Sequence, residues 1–224
     1  MQAEQAYKLK VKSNYTVWRR VFLFIICGLF FFWSFQQIIA QNTITFDSAI
    51  RETINGWEIS LVVDFFYLFT VLGDKAGVIT IMILAILVIW WKTKDYVAMG
   101  VLVSGVIVVN ELNKWLKDFT GRERPMTGPG AESLSFPSGH AMVGLFFYGL
   151  LLYLLLLYTK ARGRRLLILV SGITFILLLG SSRIFLNYHY PSDVFAGYAA
   201  GYICLLFGVL AYEGLQYFLT KKSA

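Results

Sequence analysis

Charge is what this chain has least of. Only 15% of its 224 residues are charged, against 58% hydrophobic and 17% aromatic, and the mean hydropathy is +0.65. A soluble domain carries about 25% charged residues, so a water-soluble fold is excluded and the apolar excess must meet lipid. Cysteine is nearly absent too. Cys27 and Cys204 both lie inside apolar runs, where a small, weakly polar side chain packs well. That excludes a disulfide framework or a thiolate metal site. No internal repeat or low-complexity linker divides the chain, which points to one membrane-embedded domain over residues 1–224 and away from a transporter built on repeated halves.

What the chain has in quantity is apolar runs of membrane length. A bilayer core of about 30 Å needs roughly 20 apolar residues as helix. Such spans are expected at Val21–Ala40, Ala76–Trp91, Tyr96–Leu116, Ala141–Tyr158, Leu166–Ser182 and Val194–Leu219, an all-α bundle of six transmembrane helices. Short connections favour antiparallel neighbours. The first run follows a basic stretch, "KLKVKSNYTVWRR". It is longer than the roughly 7–15 residues of a signal-peptide core, and "QQIIAQN" lacks the small-residue cleavage pattern, so a retained span is expected.

Between the first two spans Phe46, Ile50, Ile54 and Trp57 recur every three or four residues, with Asp47, Arg51, Glu52 and Glu58 elsewhere on the turn. This periodicity predicts an interfacial amphipathic helix on the membrane surface. The next stretch, Ile59 to Gly73, is apolar but short and interrupted by Asp64. Periodicity leaves it open as an interfacial segment, a partly embedded one or a seventh span. Loop charge favours six spans. With the N-terminus inside, 13 of the 20 Lys and Arg fall on the cytoplasmic face and 7 outside; a seventh span would make it 11 and 9. Both termini are then cytoplasmic. The net charge of +7 reads as basic loops beside anionic lipid, with no nucleic-acid partner.

This topology gathers three polar stretches on one face: "KDFTGRERP", "PSGH" and "SRIFLNYHYPSD". Together they hold Lys117, Arg122, Arg124, Arg183, His140, His189 and Asp193, including both histidines of the protein. Cations crowded together at low dielectric demand an anion, and phosphate suits them because guanidinium forks match its oxygens. Pro137 preorganises a helix start at which the N–H groups of Ser138 and Gly139 would be free to donate, a second anion device. An ordinary helix cap is the plainer reading of that motif taken alone.

Asp193 lies four residues after His189, placed to orient one ring nitrogen and present the other as a nucleophile. His140 is left as general acid and then general base. A carboxylate partner is expected to raise His189 above the free imidazole value, and two histidines in opposite protonation states predict a bell-shaped rate profile. A metal held by these residues is disfavoured, because the surrounding cations would repel it. Arg122 reads as a solvated loop charge or as a contact to a second phosphate. Glu111 and Lys114 read as a local pair or as part of the wall of an access groove.

The chain resembles the type 2 phosphatidic acid phosphatase superfamily in its small bacterial six-span branch. Lys117, Arg124 and Pro125 fit K-x6-R-P, Pro137 to His140 give P-S-G-H, and Ser182, Arg183, His189 and Asp193 fit S-R-x5-H-x3-D, across roughly Tyr96 to Leu219. The resemblance implies a metal-independent, cofactor-free phosphatase passing through a phosphohistidine. It implies His189 as nucleophile, Asp193 as its orienting partner and His140 as acid and base. Lys117, Arg124, Ser138, Gly139 and Arg183 would bind phosphate. The implied substrate is a lipid phosphate or diphosphate taken from the bilayer at the outer face. Undecaprenyl pyrophosphate is favoured, because that carrier is recycled externally and the cluster has cations to spare for a diphosphate. Phosphatidylglycerophosphate or phosphatidic acid is the alternative. A non-catalytic lipid-binding membrane protein is a reading of another class, and the presence of His140, His189 and Asp193 weighs against it.

Overall fold

The computed structural model describes residues 2–42, 44–55, 60–125 and 133–222. Among the described residues eight α-helices follow one another: α1 (Gln2–Ile39), α2 (Thr45–Asn55), α3 (Ser60–Thr70), α4 (Lys75–Lys92), α5 (Tyr96–Thr120), α6 (Gly139–Tyr158), α7 (Arg162–Phe185) and α8 (Pro191–Lys222). Six of them, all but α2 and α3, are long and apolar enough to cross a membrane. Every span expected from hydropathy lies mainly within one of these six. Helix ends follow local chemistry. Asp95 caps α5 by accepting from the Ala98 N–H at 2.9 Å, and Gly121 closes it in the left-handed conformation at φ 61°. Pro191 opens α8, where its missing N–H costs no helical bond.

Helix α6 is the hub. Half of its span is buried, against 6% for α4. It packs on α5, α7 and α8, with Met142, Phe146, Phe147 and Leu150 fully enclosed. Leu29, Leu84 and Leu167 are more than half exposed, as a lipid-facing surface requires. Close approach of α8 to the start of α6 depends on glycine. A Cβ at Gly197 would lie 2.8 Å from the Ser138 carbonyl oxygen, and one at Gly201 2.7 Å from that of Met142. Those two contacts hold the second and third turns of α8 against the start of α6.

The predicted amphipathic helix is α2, and its apolar side is laid over the bundle's end. Phe46 packs with Ile38, Ile44, Phe136 and Ala196, while Ile50 and Ile54 pack with Ala141, Ile184 and Val194. The protein therefore supplies a share of the apolar cover expected from the membrane, since periodicity defines an apolar face without saying what meets it. Trp57 and Glu58 lie outside the described residues.

The open stretch forms, from Ser60 on, a short helix packed along α7. Helix α3 has 11 residues, about 16 Å of rise, too short for a bilayer core. Phe66 stacks on Phe185 at 4.5 Å and Phe69 meets Phe175 at 5.1 Å, so α3 runs from the end of α7 toward its middle. A 3-10 turn at Val71–Gly73 then links it to α4. Carbonyls freed at this broken end are satisfied by protein: Tyr148 OH donates to Leu72 O at 2.6 Å, and His140 Nε2 lies 3.1 Å from Thr70 O.

Candidate active site

The ends of α5 and α7 and the starts of α6 and α8 meet at one end of the bundle, and with them come the three polar stretches. His189 is buried at 2% exposure and Asp193 at 0%. The loop holding His189 is folded back onto α7, with Asn187 at φ 58° and the N–H groups of Tyr188 and His189 both donating to Arg183 O. His189 Nδ1 lies 3.5 Å from Asp193 Oδ2. A tighter path runs through Ser135, whose Oγ is 3.2 Å from Nδ1 and donates to Oδ2 at 2.5 Å. Sequence reasoning missed Ser135. Its neighbour Pro137 belonged to a recognised motif, but nothing in the spacing tied a hydroxyl there to residue 193. With Nδ1 engaged, Nε2 is the nitrogen left to react.

Burial pushes the His189 imidazole from 6.5 down to about 3, outweighing the attraction of Asp193. The expectation of a raised value is therefore corrected. A carboxylate partner favours the imidazolium, but removing a charged ring from water costs more. His189 is neutral at working pH, as a nucleophile must be.

Asp193 is held from four sides. Besides Ser135 it accepts from the Tyr190 N–H at 2.9 Å and from Arg122 at 2.5 Å. Arg122 also donates to Asp47 at 2.9 Å and to Ser192 Oγ at 2.8 Å, and lies 4.0 Å over the Tyr190 ring. Asp47 in turn accepts from the N–H and hydroxyl of Ser192 at 2.7 and 2.6 Å. Arg122 is thus neither a solvated loop charge nor a free anion contact; both of its arms are held by buried carboxylates. Asp47 was visible only as a polar residue on an amphipathic helix, 145 positions from its partner Ser192.

Lys117, Arg124 and Arg183 behave differently. Lys117 donates to Leu134 O at 2.7 Å, and Arg124 to Ser133 O and Ser133 Oγ at 2.7 and 2.6 Å. Arg183 donates to Thr70 Oγ1 at 2.9 Å and lies over the Tyr188 ring at 4.2 Å. Among the described residues none of the three has a carboxylate partner, although Lys117 and Arg183 each feel the charge of Arg124. Burial alone holds the Arg124 guanidinium below its ordinary value. Arg183 Nε and Ser138 Oγ are buried without a hydrogen-bond partner. Unpaired donors next to unneutralised cations are the signature of an anion site. The Ser138 N–H, expected to be free, instead donates to Asp193 O at 3.0 Å, because α8 packs so closely on α6. The Ser138 hydroxyl is the available group. Gly139 opens α6, and Asn113, also missed, pins the turn before it by donating to Pro137 O at 3.1 Å.

His140 faces α3 and α4. Its Nε2 lies 3.3 Å from Asp74 Oδ1, and that contact holds the Asp74 carboxyl below the usual range. A groove of about 590 Å³ runs from His140 and Lys117 between α4 and α5, walled by Val78, Met82, Val106 and Ile107. Glu111 and Lys114 form a pair at 2.7 Å and also line that groove, so both readings of them hold.

Comparison with known proteins follows the same residues. The family described as the PAP2 superfamily matches residues 96–217. Phosphatidylglycerophosphatase B of Bacillus subtilis is 32% identical over 106 residues, 46% of this chain and 51% of that protein, so the chain spans about half the length of this curated relative. A crystal structure of a transmembrane PAP2-type phosphatidylglycerolphosphate phosphatase from Bacillus subtilis superposes with a TM-score of 0.76 at 21% identity, covering 85% of this chain and 96% of that one. LpxE of Aquifex aeolicus superposes with a TM-score of 0.57 at 22% identity, covering 72% and 93%. At those identities the two structures speak for the fold.

Proposed function

Because the chain belongs to the PAP2 superfamily, we propose that it is a membrane phosphatase that hydrolyses a lipid phosphate through a phosphohistidine. The observation that carries this reading is a buried, neutral histidine with one nitrogen free, within reach of the charges of Arg124 and Lys117, which form no ion pair with a carboxylate among the described residues. The phosphoryl group sits among Lys117, Arg124, Arg183, Ser138 Oγ and the start of α6 at Gly139. His189 Nε2 attacks phosphorus, the bond to the leaving oxygen breaks, and His140 gives that oxygen its proton. Water then attacks the phosphohistidine, His140 takes the water's proton, the P–N bond breaks and phosphate departs. Both histidines end as they began. Asp193 and Ser135 orient His189 throughout, and Arg122 keeps Asp193 charged.

A lipid phosphomonoester is the substrate the site favours, with phosphatidylglycerophosphate first, as the name of the Bacillus relative suggests. Arg122, the cation read from sequence as a contact to a second phosphate, is engaged by Asp193 and Asp47. Undecaprenyl pyrophosphate is the second reading, favoured by Lys75 and Lys114 on the groove rim, where a second phosphate would lie. The lipid's tail would occupy the groove between α4 and α5. Lys and Arg crowd the end opposite the site, which favours cytoplasmic termini and an extracytoplasmic site.

Phosphate release by purified protein in detergent with chelator present tests the proposal. Phosphatidylglycerophosphate, phosphatidic acid and undecaprenyl pyrophosphate are compared side by side. Turnover that survives chelation and is fastest on phosphatidylglycerophosphate is expected. Release abolished by chelation overturns the mechanism, and faster release from the prenyl diphosphate reverses the order of substrates.

A further inference from the structure

His140 is gripped by a segment outside the three motif stretches. Its Nε2 lies between Thr70 O at 3.1 Å and Asp74 Oδ1 at 3.3 Å. Among the described residues nothing bonds its Nδ1. Gly73 fits against the ring so closely that a Cβ there would lie 2.3 Å from Cδ2. Asp74 occupies the N-cap of α4, where an aspartate ordinarily accepts from the helix's own first-turn N–H groups. Here its side chain makes no capping bond. It forgoes that role and faces the histidine. Thr70 adds a second link, since its Oγ1 accepts from Arg183 NH1 at 2.9 Å and from Ser182 Oγ at 3.2 Å. The turn from Thr70 to Asp74 thus holds the acid and one phosphate clamp together.

We propose that Asp74 is the positioning residue of the general acid: with the Thr70 carbonyl it holds Nε2–H of His140, favours the charged ring, and leaves Nδ1–H as the proton given to the leaving oxygen. This rests on the phosphatase reading above. The site then carries two histidine–carboxylate pairs with opposite tasks. Asp193 is fully buried beside a fully buried ring, whereas Asp74 is half exposed beside a ring that is 12% exposed. A broken helix is the means, because it ends a carbonyl and starts a carboxylate at the same depth as His140.

The full-length protein in detergent tests this with Asp74→Asn, Asp74→Glu and His140→Ala, on an alkyl phosphate and a nitrophenyl phosphate of matched tail. Nitrophenolate leaves as a stable anion and needs little protonation, whereas an alkoxide needs the proton. Asp74→Asn should lower kcat on the alkyl phosphate roughly ten- to hundredfold, with KM within about twofold. On the nitrophenyl phosphate the loss should stay under about threefold, and Asp74→Glu should recover part of the alkyl rate. In the His140→Ala background Asp74→Asn should cost nothing further, because the two act as one unit. Retained vanadate binding reports an intact phosphate site; if Asp74→Asn loses it, Asp74→Ser, which can still cap α4, is read in its place. Equal losses on the two substrates, a loss confined to KM, or additivity with His140→Ala overturns the proposal. A wild-type protein that releases no phosphate from any lipid overturns the phosphatase reading instead.

Discussion

Arg122 reaches Asp193 at 2.5 Å and Asp47 at 2.9 Å, and the two carboxylates are 0% and 7% exposed as side chains. Removing the guanidinium would leave both charges buried and unpaired, a loss of about 3–5 kcal/mol. Arg122→Ala is therefore expected to lower the thermal midpoint in detergent far more than Arg124→Ala, which leaves no carboxylate behind. Equal effects of the two substitutions would show that Arg122 is an ordinary phosphate contact. His189 bears a second expectation at this scale. Its imidazole titrates near 6.5 when free and near 3 when folded, so the unfolded chain takes up the proton first. The stability this group contributes is complete above about pH 6.5 and is lost as pH falls toward 3. Nitrogen NMR of labelled histidine should find one ring neutral, with Nδ1 protonated, from pH 8 down to pH 5. The acid limb of a bell-shaped profile then belongs to the substrate phosphate, and the alkaline limb to His140, which must carry its proton to act as the acid. A ring that titrates near 6.5 contradicts the burial argument.

Among the elements, α3 is the one whose role hydropathy left open. An 11-residue, mostly apolar helix satisfies an interfacial position, a buried one or part of a span equally well. Which of these forms depends on partners for the carbonyls at its broken end, and Tyr148 supplies one with its hydroxyl at 2.6 Å from Leu72 O. Tyr148→Phe keeps the ring's packing on Phe175 at 4.7 Å and removes only that donor. It should cost about 1–3 kcal/mol of stability, read as a lower midpoint, because an orphaned carbonyl stays buried. An unchanged midpoint would mean that the carbonyl finds another donor. Helix α2 is the complementary case. Its periodicity announced an amphipathic helix, and Asp47 on its polar side proves to be tied to Ser192 at the start of α8. A surface element is thus joined to the carboxylate that orients His189.

For the whole molecule, the last turns of α8 and the loops holding Lys94 and Lys160 lie at one end of the bundle, where Asp95 accepts from Tyr158, Tyr212 and Gln216, and the candidate site lies at the other. Single cysteines at Lys94 or Lys160, in a chain with Cys27 and Cys204 replaced, should resist an impermeant thiol reagent in intact cells. A cysteine at Glu52 should react. The reverse pattern would invert the proposed orientation. Much of this level could be read from sequence, because lipid contact imposes length and hydrophobicity on each span and these are properties of contiguous residues. The motif residues Lys117, Arg124, His140, Arg183, His189 and Asp193 were legible for a related reason: each sits in a short stretch whose spacing holds without reference to the rest of the chain. Ser135, Asp47, Thr70, Asp74 and Asn113 were not, since each matters only through a partner on another helix. The sequence by itself determined a six-helix membrane bundle with the motif cations and both histidines gathered at one face. Only the tertiary structure decided that Arg122 serves Asp193, that the Ser138 N–H is already engaged, and that burial leaves His189 neutral. The physical reason is that desolvation and hydrogen-bond pairing depend on what packs against a group, and packing joins residues that the chain keeps far apart.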